Sequence, residues 1–298
     1  MTVAYARSKT VPQGLVPYLT LDEYRRAPSG VDASALVTGD ADANRAELAN
    51  VIRRASSWID QHCNQVLAAT EDTEAGRLTV GRDGLVRVHP RFTPLCLVSG
   101  FSYGAAGQDL TAIEDFSRVW VEDATFVVPL LGGTTWRGPL EFGASPSPGG
   151  TLYARWTYVS GFPNTLLAAT ATAGDTSILV EDGTGIVPGR TQFTIYDGAT
   201  TETVVVDDTY THGSTTVPLA GALVCDHSTV GVSVSALPEV VKQAAVLVTS
   251  ALIKTRSASA IVMGGMKGGA SGKAPANVLT LDEMNDVTDM LQPFCRVR

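Results

Sequence analysis

The chain has 298 residues, 44% apolar and 17% charged, enough to bury a real core and well outside the disordered class. Its net charge of −8 argues against a protein whose main task is gripping nucleic-acid phosphates, which calls for a basic face. No apolar run reaches the about 18 residues of a membrane helix, and the opening MTVAYARSKTVPQG lacks the apolar stretch of a secretory signal. A soluble chain made in the cytoplasm, with no membrane partner, is therefore expected. Cys63, Cys96, Cys225 and Cys295 are scattered without a CxxC pair, which points to reduced thiols and not to a disulfide framework.

The segment to about Pro17 has no periodicity and reads as an extended arm. In Leu19-Thr20-Leu21-Asp22-Glu23, Thr20 can cap a helix and Glu23 can reach back to the cap's N–H; Pro28 ends that helix after about two turns. A second helix is predicted from about Ala43 to Cys63. Leu48, Val51, Ile52, Ala55, Trp58, Ile59 and Cys63 form one apolar stripe at steps of three and four, a packing seam.

From Arg77 the period switches to two. Leu78 and Val80, then Val86 and Val88, flank Gly81-Arg82-Asp83-Gly84, a hairpin signal. Further strands are predicted at Leu95–Ser99, Val119–Val121, Phe126–Val128 and Leu152–Val159, with a long loop over Gly132–Gly150. After Gly161-Phe162-Pro163 the composition shifts to Thr, Ala, Gly and Val. Short β runs at Ser177–Val180, Phe193–Tyr196, Thr203–Val206, Thr215–Leu219 and Val230–Val234 suggest a small β-sandwich or barrel. This block carries eight acids and one base, Arg190, so nearly all of the negative balance sits there. Helix returns at Pro238–Thr255, apolar on most sides and so buried within or between subunits. Gly264–Lys273 reads as a mobile loop, and a last helix from Leu279-Thr280-Leu281-Asp282-Glu283 stops near Pro293.

Candidate chemistry is thin. Gly100-Phe101-Ser102-Tyr103-Gly104 matches a nucleophile elbow, yet no helix comes after it, and a strand-end turn is the simpler reading. Gly272-Lys273 lacks the spacing and hydroxyl of a phosphate loop. His212, Cys225, Asp226 and His227 are the best metal-ligand candidates but lack the doubled ligand pairs of zinc sites. His62-Cys63 reads as a helix end, His89 as a lone residue before Pro90, and Glu181-Asp182 and Asp207-Asp208 as solvated loop charges. No catalytic residues, no metal and no cofactor are expected.

The order of elements then becomes informative. A short capped helix leads to a long one ending Trp58-Ile59-Asp60-Gln61-His62-Cys63. Phe92-Thr93-Pro94-Leu95 opens a β section that runs through Val98–Gly104 to Tyr153–Pro163, and Leu237-Pro238-Glu239 opens a buried helix. Over about Leu15–Pro163 and Ala236–Arg298 this resembles the head–tail connector (adaptor) proteins of long-tailed bacteriophages. It departs from small members of that family by about seventy-five residues between the aromatic strand and the buried helix. Its β section is also long for a minimal adaptor.

The resulting expectation is an α+β fold. It comprises an N-terminal arm (1–18), a helical adaptor core of about four helices with a β-hairpin and strand section (19–162 and 237–298), and an inserted all-β domain (163–236). The resemblance implies a non-catalytic virion protein at the head–tail junction. It would form a ring of about twelve copies below the portal protein and above a tail-side head-completion (stopper) protein, with genome DNA passing through the lumen without specific binding. It also implies portal contact through Pro293, Phe294, Cys295, Arg296, Val297 and Arg298. The apolar surplus of Val240, Val241, Ala244, Leu247, Val248, Ala251 and Leu252 would pack between subunits. Two rival readings are a serine hydrolase centred on Ser102 and a β module that binds a host-surface glycan or another virion protein.

Overall fold

The computed structural model describes residues 16–29, 31–34, 36–37, 40–122, 124–130, 149–198, 200–227, 231–257 and 281–296, the side chains of 255–257 and 281–284 excepted. The fold is α+β, as expected. It comprises helices α1 (Leu21–Arg26), α2 (Ala41–Cys63), α3 (Glu239–Ser257) and α4 (Leu281–Leu291), with several small antiparallel sheets between α2 and α3.

Local sequence accounts for the helix ends. Thr20 and Glu23 form the capping box of α1. Asp40 caps α2, and Asn64 ends it in the left-handed conformation, φ 55°. The carbonyl of Pro238 accepts from the Val241 and Lys242 N–H groups, so this proline sits one position before α3. The seam of α2 (Leu48, Val51, Ile52, Ala55, Ile59, Cys63) meets Val241, Ala244, Ala245 and Val248 of α3 and Val287 and Leu291 of α4 in one core. A 3-10 turn, Gln292–Phe294, carries the chain past Pro293, where the sequence suggested a stop.

The β section pairs differently from the expected hairpin. β1 (Thr70–Thr79) runs ten residues in register with β7 (Thr151–Ser160), and β2 (Leu85–Val88) pairs with β6 (Thr125–Pro129). The Gly81–Gly84 turn is present, closed by the Val80–Val86 bridge, yet it passes the chain from one sheet to another. The first sheet has the order β1-β7-β3-β4, with β3 (Leu95–Gly104) and β4 (Thr111–Ala112); the second is β2-β6-β5, with β5 (Trp120–Glu122). Val86, Val88, Phe126 and Val128 of one sheet and Phe101, Ala154, Trp156 and Tyr158 of the other share a core. Gly161, at φ 108°, has no alternative: a Cβ there would lie 2.5 Å from the Ala68 carbonyl oxygen. The 131–148 part of the expected long loop, the Gly264–Lys273 loop and the arm to Leu15 lie outside the described residues.

The block after Pro163 closes on itself. β11 (Glu202–Val205), β10 (Gln192–Tyr196), β13 (Ser233–Ser235) and β8 (Asn164–Leu166) pair in that order, and β9 (Ser177–Leu179) pairs with β12 (Thr216–Pro218). Bridges Leu167–Val180 and Val206–Leu219 join the two groups at both sides, giving a closed six-stranded barrel. Phe193, Ile195, Val206, Val217 and Val234 fill it, each fully buried.

The barrel is also a sequence repeat. Leu167–Val180 aligns without a gap with Val206–Leu219, thirty-nine residues apart, with Thr170/Thr209, Thr172/Thr211, Gly174/Gly213 and Thr176/Thr215 identical. Gly174 and Gly213 share a positive φ (96° and 77°), and Ile178 faces Val217 across the β9–β12 pair. The arrangement is a pseudo-twofold barrel of two three-strand halves. Its entry and exit are partners, since Asn164 lies opposite Ser235 and the Ala236 N–H binds the Pro163 carbonyl at 2.8 Å.

Candidate functional site

Ser102 lies within β3, opposite Arg155 of β7 and Ala112 of β4, and not at the expected strand-end turn. Glycines at both ends of that motif are strand residues, so no exposed elbow exists there. The four histidines are engaged elsewhere. His62 stacks on Trp58, His89 Nδ1 bonds Thr125 at 2.8 Å, His212 Nδ1 lies 3.1 Å from the Ile186 carbonyl, and His227 meets Glu202. None of the four histidines bonds Ser102, whose Oγ lies 3.5 Å from the Arg155 carbonyl.

His212, Cys225, Asp226 and His227 do not converge either. The Asp226 carboxylate accepts from Ala173 N–H, and the Cys225 N–H donates to Glu202 Oε2. Fully buried His227 has Nε2 3.1 Å from Glu202 Oε1 and Nδ1 3.8 Å from Asp197. Among the described residues no group of three or more such side chains could hold a metal ion. These contacts close the end of the barrel around the Ala171–His227 bridge.

The most heavily worked polar site is one that sequence reasoning did not assemble. Lys242, the interruption in apolar α3, is only 4% exposed. Its Nζ donates to Glu23 Oε1 (2.5 Å) and to Ser233 Oγ (3.2 Å), and it lies 3.9 Å from the centre of the Tyr196 ring. Glu23 also accepts the Thr20 N–H through its other oxygen, so one carboxylate closes the capping box and neutralises the lysine. Tyr196 Oη in turn donates to Glu239. Burial pulls the Lys242 ammonium below its ordinary value, opposed by Glu23; burial, then Glu239, pushes the Tyr196 phenol up. This knot joins α1, α3 and barrel strands β10 and β13. Lysine in a greasy helix together with glutamate at a cap was the available signal, but their separation of over two hundred residues hid the pairing.

Beside the knot, the β section, barrel and start of α3 enclose an open cleft of about 1000 Å³, lined by Leu97, Phe116, Trp120, Phe162, Val187 and Arg190 among others. Trp120 is 40% exposed there, its indole N–H on Glu122 at 2.7 Å. Cys96, at the cleft wall, donates to the Gly161 carbonyl, and burial pushes its thiol up to about 11, so it is a poor nucleophile at neutral pH.

α3 needs little outside help. Val241, Ala244, Val248 and Ala251 are buried within the chain, Leu247 and Leu252 are half-buried, and only Val240 is substantially exposed, at 39%. The apolar surplus assigned to this helix is largely absorbed by α2 and α4. The segment Pro293–Arg296 also folds back. Phe294 meets Phe162 edge to face at 6.2 Å, its carbonyl accepts from Gln65 Nε2 at 2.8 Å, and Arg296 lies over the Phe92 ring. Val297 and Arg298 lie outside the described residues.

No family model matches the chain, and no curated protein does. Among solved structures, a chain from one described as the neck of an empty GTA particle computed with C6 symmetry is similar over 94% of both chains, at 15% identity and a TM-score of 0.33. No helix among the described residues is long and apolar enough to cross a membrane.

Proposed function

We propose that the protein is a non-catalytic, ring-forming component of the head–tail junction of a phage-like virion, a connector that docks below the portal and extends the DNA channel toward the tail. The observation that carries this reading is the order α1, α2, β section, α3, α4, with the barrel spliced in at a single point where Asn164 and Ser235 are strand partners. Removing the splice on paper leaves the compact order of the connector family that the sequence resembles. A chain that is not basic suits a lumen through which DNA must slide, since each neutralised phosphate strengthens binding and slows passage. The eight acids of the barrel suit a place away from that lumen.

In this reading the ring has about twelve copies, and portal contact runs through the segment Pro293–Arg298. Phe294 and Cys295 serve there as internal anchors, and Arg296 and Arg298 pair with portal carboxylates. Exposed Val240 and half-buried Leu247 and Leu252 supply the subunit contact that α3 has left to give.

Mass photometry and negative-stain imaging of the protein, alone and with its portal, test the assembly. Rings are expected; a species that stays monomeric at every concentration with and without portal sinks the reading. Removing Arg296–Arg298, which spares the Phe294 anchor, should leave rings intact and abolish portal binding.

A further inference from the structure

Two cysteines far apart in sequence meet where the chain's last described segment returns to α2. Cys63 is the final residue of α2 and fully buried; Cys295 comes directly after the 3-10 turn and is partly exposed. The backbones are already tied, because the Arg296 N–H donates to the Cys63 carbonyl at 3.0 Å. Cys295 Sγ also lies 3.9 Å from the His62 carbonyl. On either side, Gln65 holds the Phe294 carbonyl and Phe294 packs on Phe162, so the approach is fixed from both flanks. The two side chains are neighbours, and burial, then Cys295 and Asp60, hold the Cys63 thiol well above its ordinary range.

We propose that Cys63 and Cys295 are a built disulfide site, reduced in the cytoplasm and closed by a small-molecule disulfide such as oxidised glutathione once the protein meets an oxidising medium. The backbone hydrogen bond between residue 296 and residue 63 bounds the two Cα atoms to about 8 Å or less, an interval that contains the roughly 4.4–6.8 Å a disulfide spans. The accessible Cys295 thiolate attacks one sulfur of oxidised glutathione, releasing one glutathione thiolate and leaving a mixed disulfide. Deprotonated Cys63 then attacks the Cys295 sulfur, forming the Cys63–Cys295 bond and releasing the second glutathione. Two protein thiols are oxidised and one glutathione disulfide is reduced to two thiols. The second step is slow near neutral pH, because Cys63 gives up its proton reluctantly. The bond staples the last segment to α2 and encloses the β section, barrel and α3 in one covalent loop. It needs only the fold and does not depend on the neck role.

The test uses the full chain, reduced and then incubated with oxidised glutathione at mildly alkaline pH. After free thiols are capped with N-ethylmaleimide, a non-reducing tryptic digest is mapped by mass spectrometry. The expected product is an intramolecular link between the peptides carrying Cys63 and Cys295, with Cys96 and Cys225 alkylated, a raised Tm, and both changes reversed by dithiothreitol. The double variant Cys96→Ser/Cys225→Ser should keep the link, and Cys295→Ser should lose it. A lasting glutathione adduct on Cys295, a link to Cys96 or Cys225, a bond between two chains, or four alkylated thiols overturns the proposal. The peptide map of the wild-type chain decides by itself, so the test does not depend on a Cys63 variant that folds.

Discussion

The barrel and the helical core solve the same burial problem in opposite ways. The barrel consumes its edges, repeats one three-strand half, and fills its interior with side chains drawn from Leu167 to Val234. The helical core draws on Tyr18 at one end of the described chain and Leu291 near the other, and even its six-residue α1 is held by a lysine from α3. A self-closing unit whose ends leave side by side can be inserted without asking the host to repack. A core built from distant segments has no such freedom.

Excising the barrel is the harshest way to break that comparison. Joining Pro163 to Ala236 through a short glycine linker should leave a folded helical core, because these residues already share a hydrogen bond. It also strips Lys242 of Ser233 and Tyr196, so the shortened protein should melt lower while keeping its helical circular dichroism. A shortened protein that fails to fold would show that the barrel is a structural member and not a guest.

Single core truncations come next. Phe193→Ala in the barrel should cost about 3–5 kcal/mol and Ile59→Ala in α2 about 2–5 kcal/mol, both residues being fully buried. The informative readout is locality. Hydrogen exchange should rise over 164–235 in the first variant and stay low there in the second. Exchange that rises everywhere in both would mean one cooperative unit.

The junction itself is the third test. Lys242→Met leaves the Glu23 carboxylate buried beside α1, and Glu23→Gln leaves the Lys242 ammonium unpaired; each side chain is under 10% exposed. Each single change should cost about 3–5 kcal/mol, whereas the double variant should recover much of the loss, since it leaves no unpaired charge buried. Urea unfolding of the four proteins measures the coupling, and strictly additive costs would show that the pair is not a functional contact.

Much of this architecture is legible in the chain. The stripe of α2, the capping box of Thr20 and Glu23, the position of α3 and most barrel strands follow from short-range periodicity and turn residues. β1 is mostly illegible, because Thr70-Glu71-Asp72-Thr73-Glu74 has few strand formers and owes its conformation to ten residues of register with β7. The turn expected at Ser102 is wrong because a five-residue motif carries no information about the chain on either side of it, and here β3 continues through it. The thirty-nine-residue repeat is present in the letters, diluted by threonine and alanine throughout the block. Lys242 with Glu23 and Cys63 with Cys295 are out of reach, since only the packing of α3 and the last turn against α2 brings them together.

The smallest expected effect is a pH profile that sorts the two regions by where their tyrosines sit. Tyr18 is pushed up by burial and then by Asp60, Tyr158 by burial and Glu74, and Tyr196 by burial and Glu239. Tyr196, in β10, belongs to the barrel, as does Tyr210, which is raised chiefly by burial. Each phenol keeps its proton longer when folded, so its contribution is complete below the unfolded value of about 10 and is lost as pH climbs above it. Lys242 has the opposite sign. Its folded value is lowered, so the unfolded chain holds the proton longer and stability rises with pH between that lowered value and about 10.4. Urea midpoints taken from pH 8 to pH 11 should therefore drift upward and then fall beyond about pH 10. Lys242→Met should remove the rise and Tyr158→Phe should flatten the fall. A fall that survives in Tyr158→Phe but disappears with the barrel excised would move the alkaline weakness from the host to the insert and reverse the comparison.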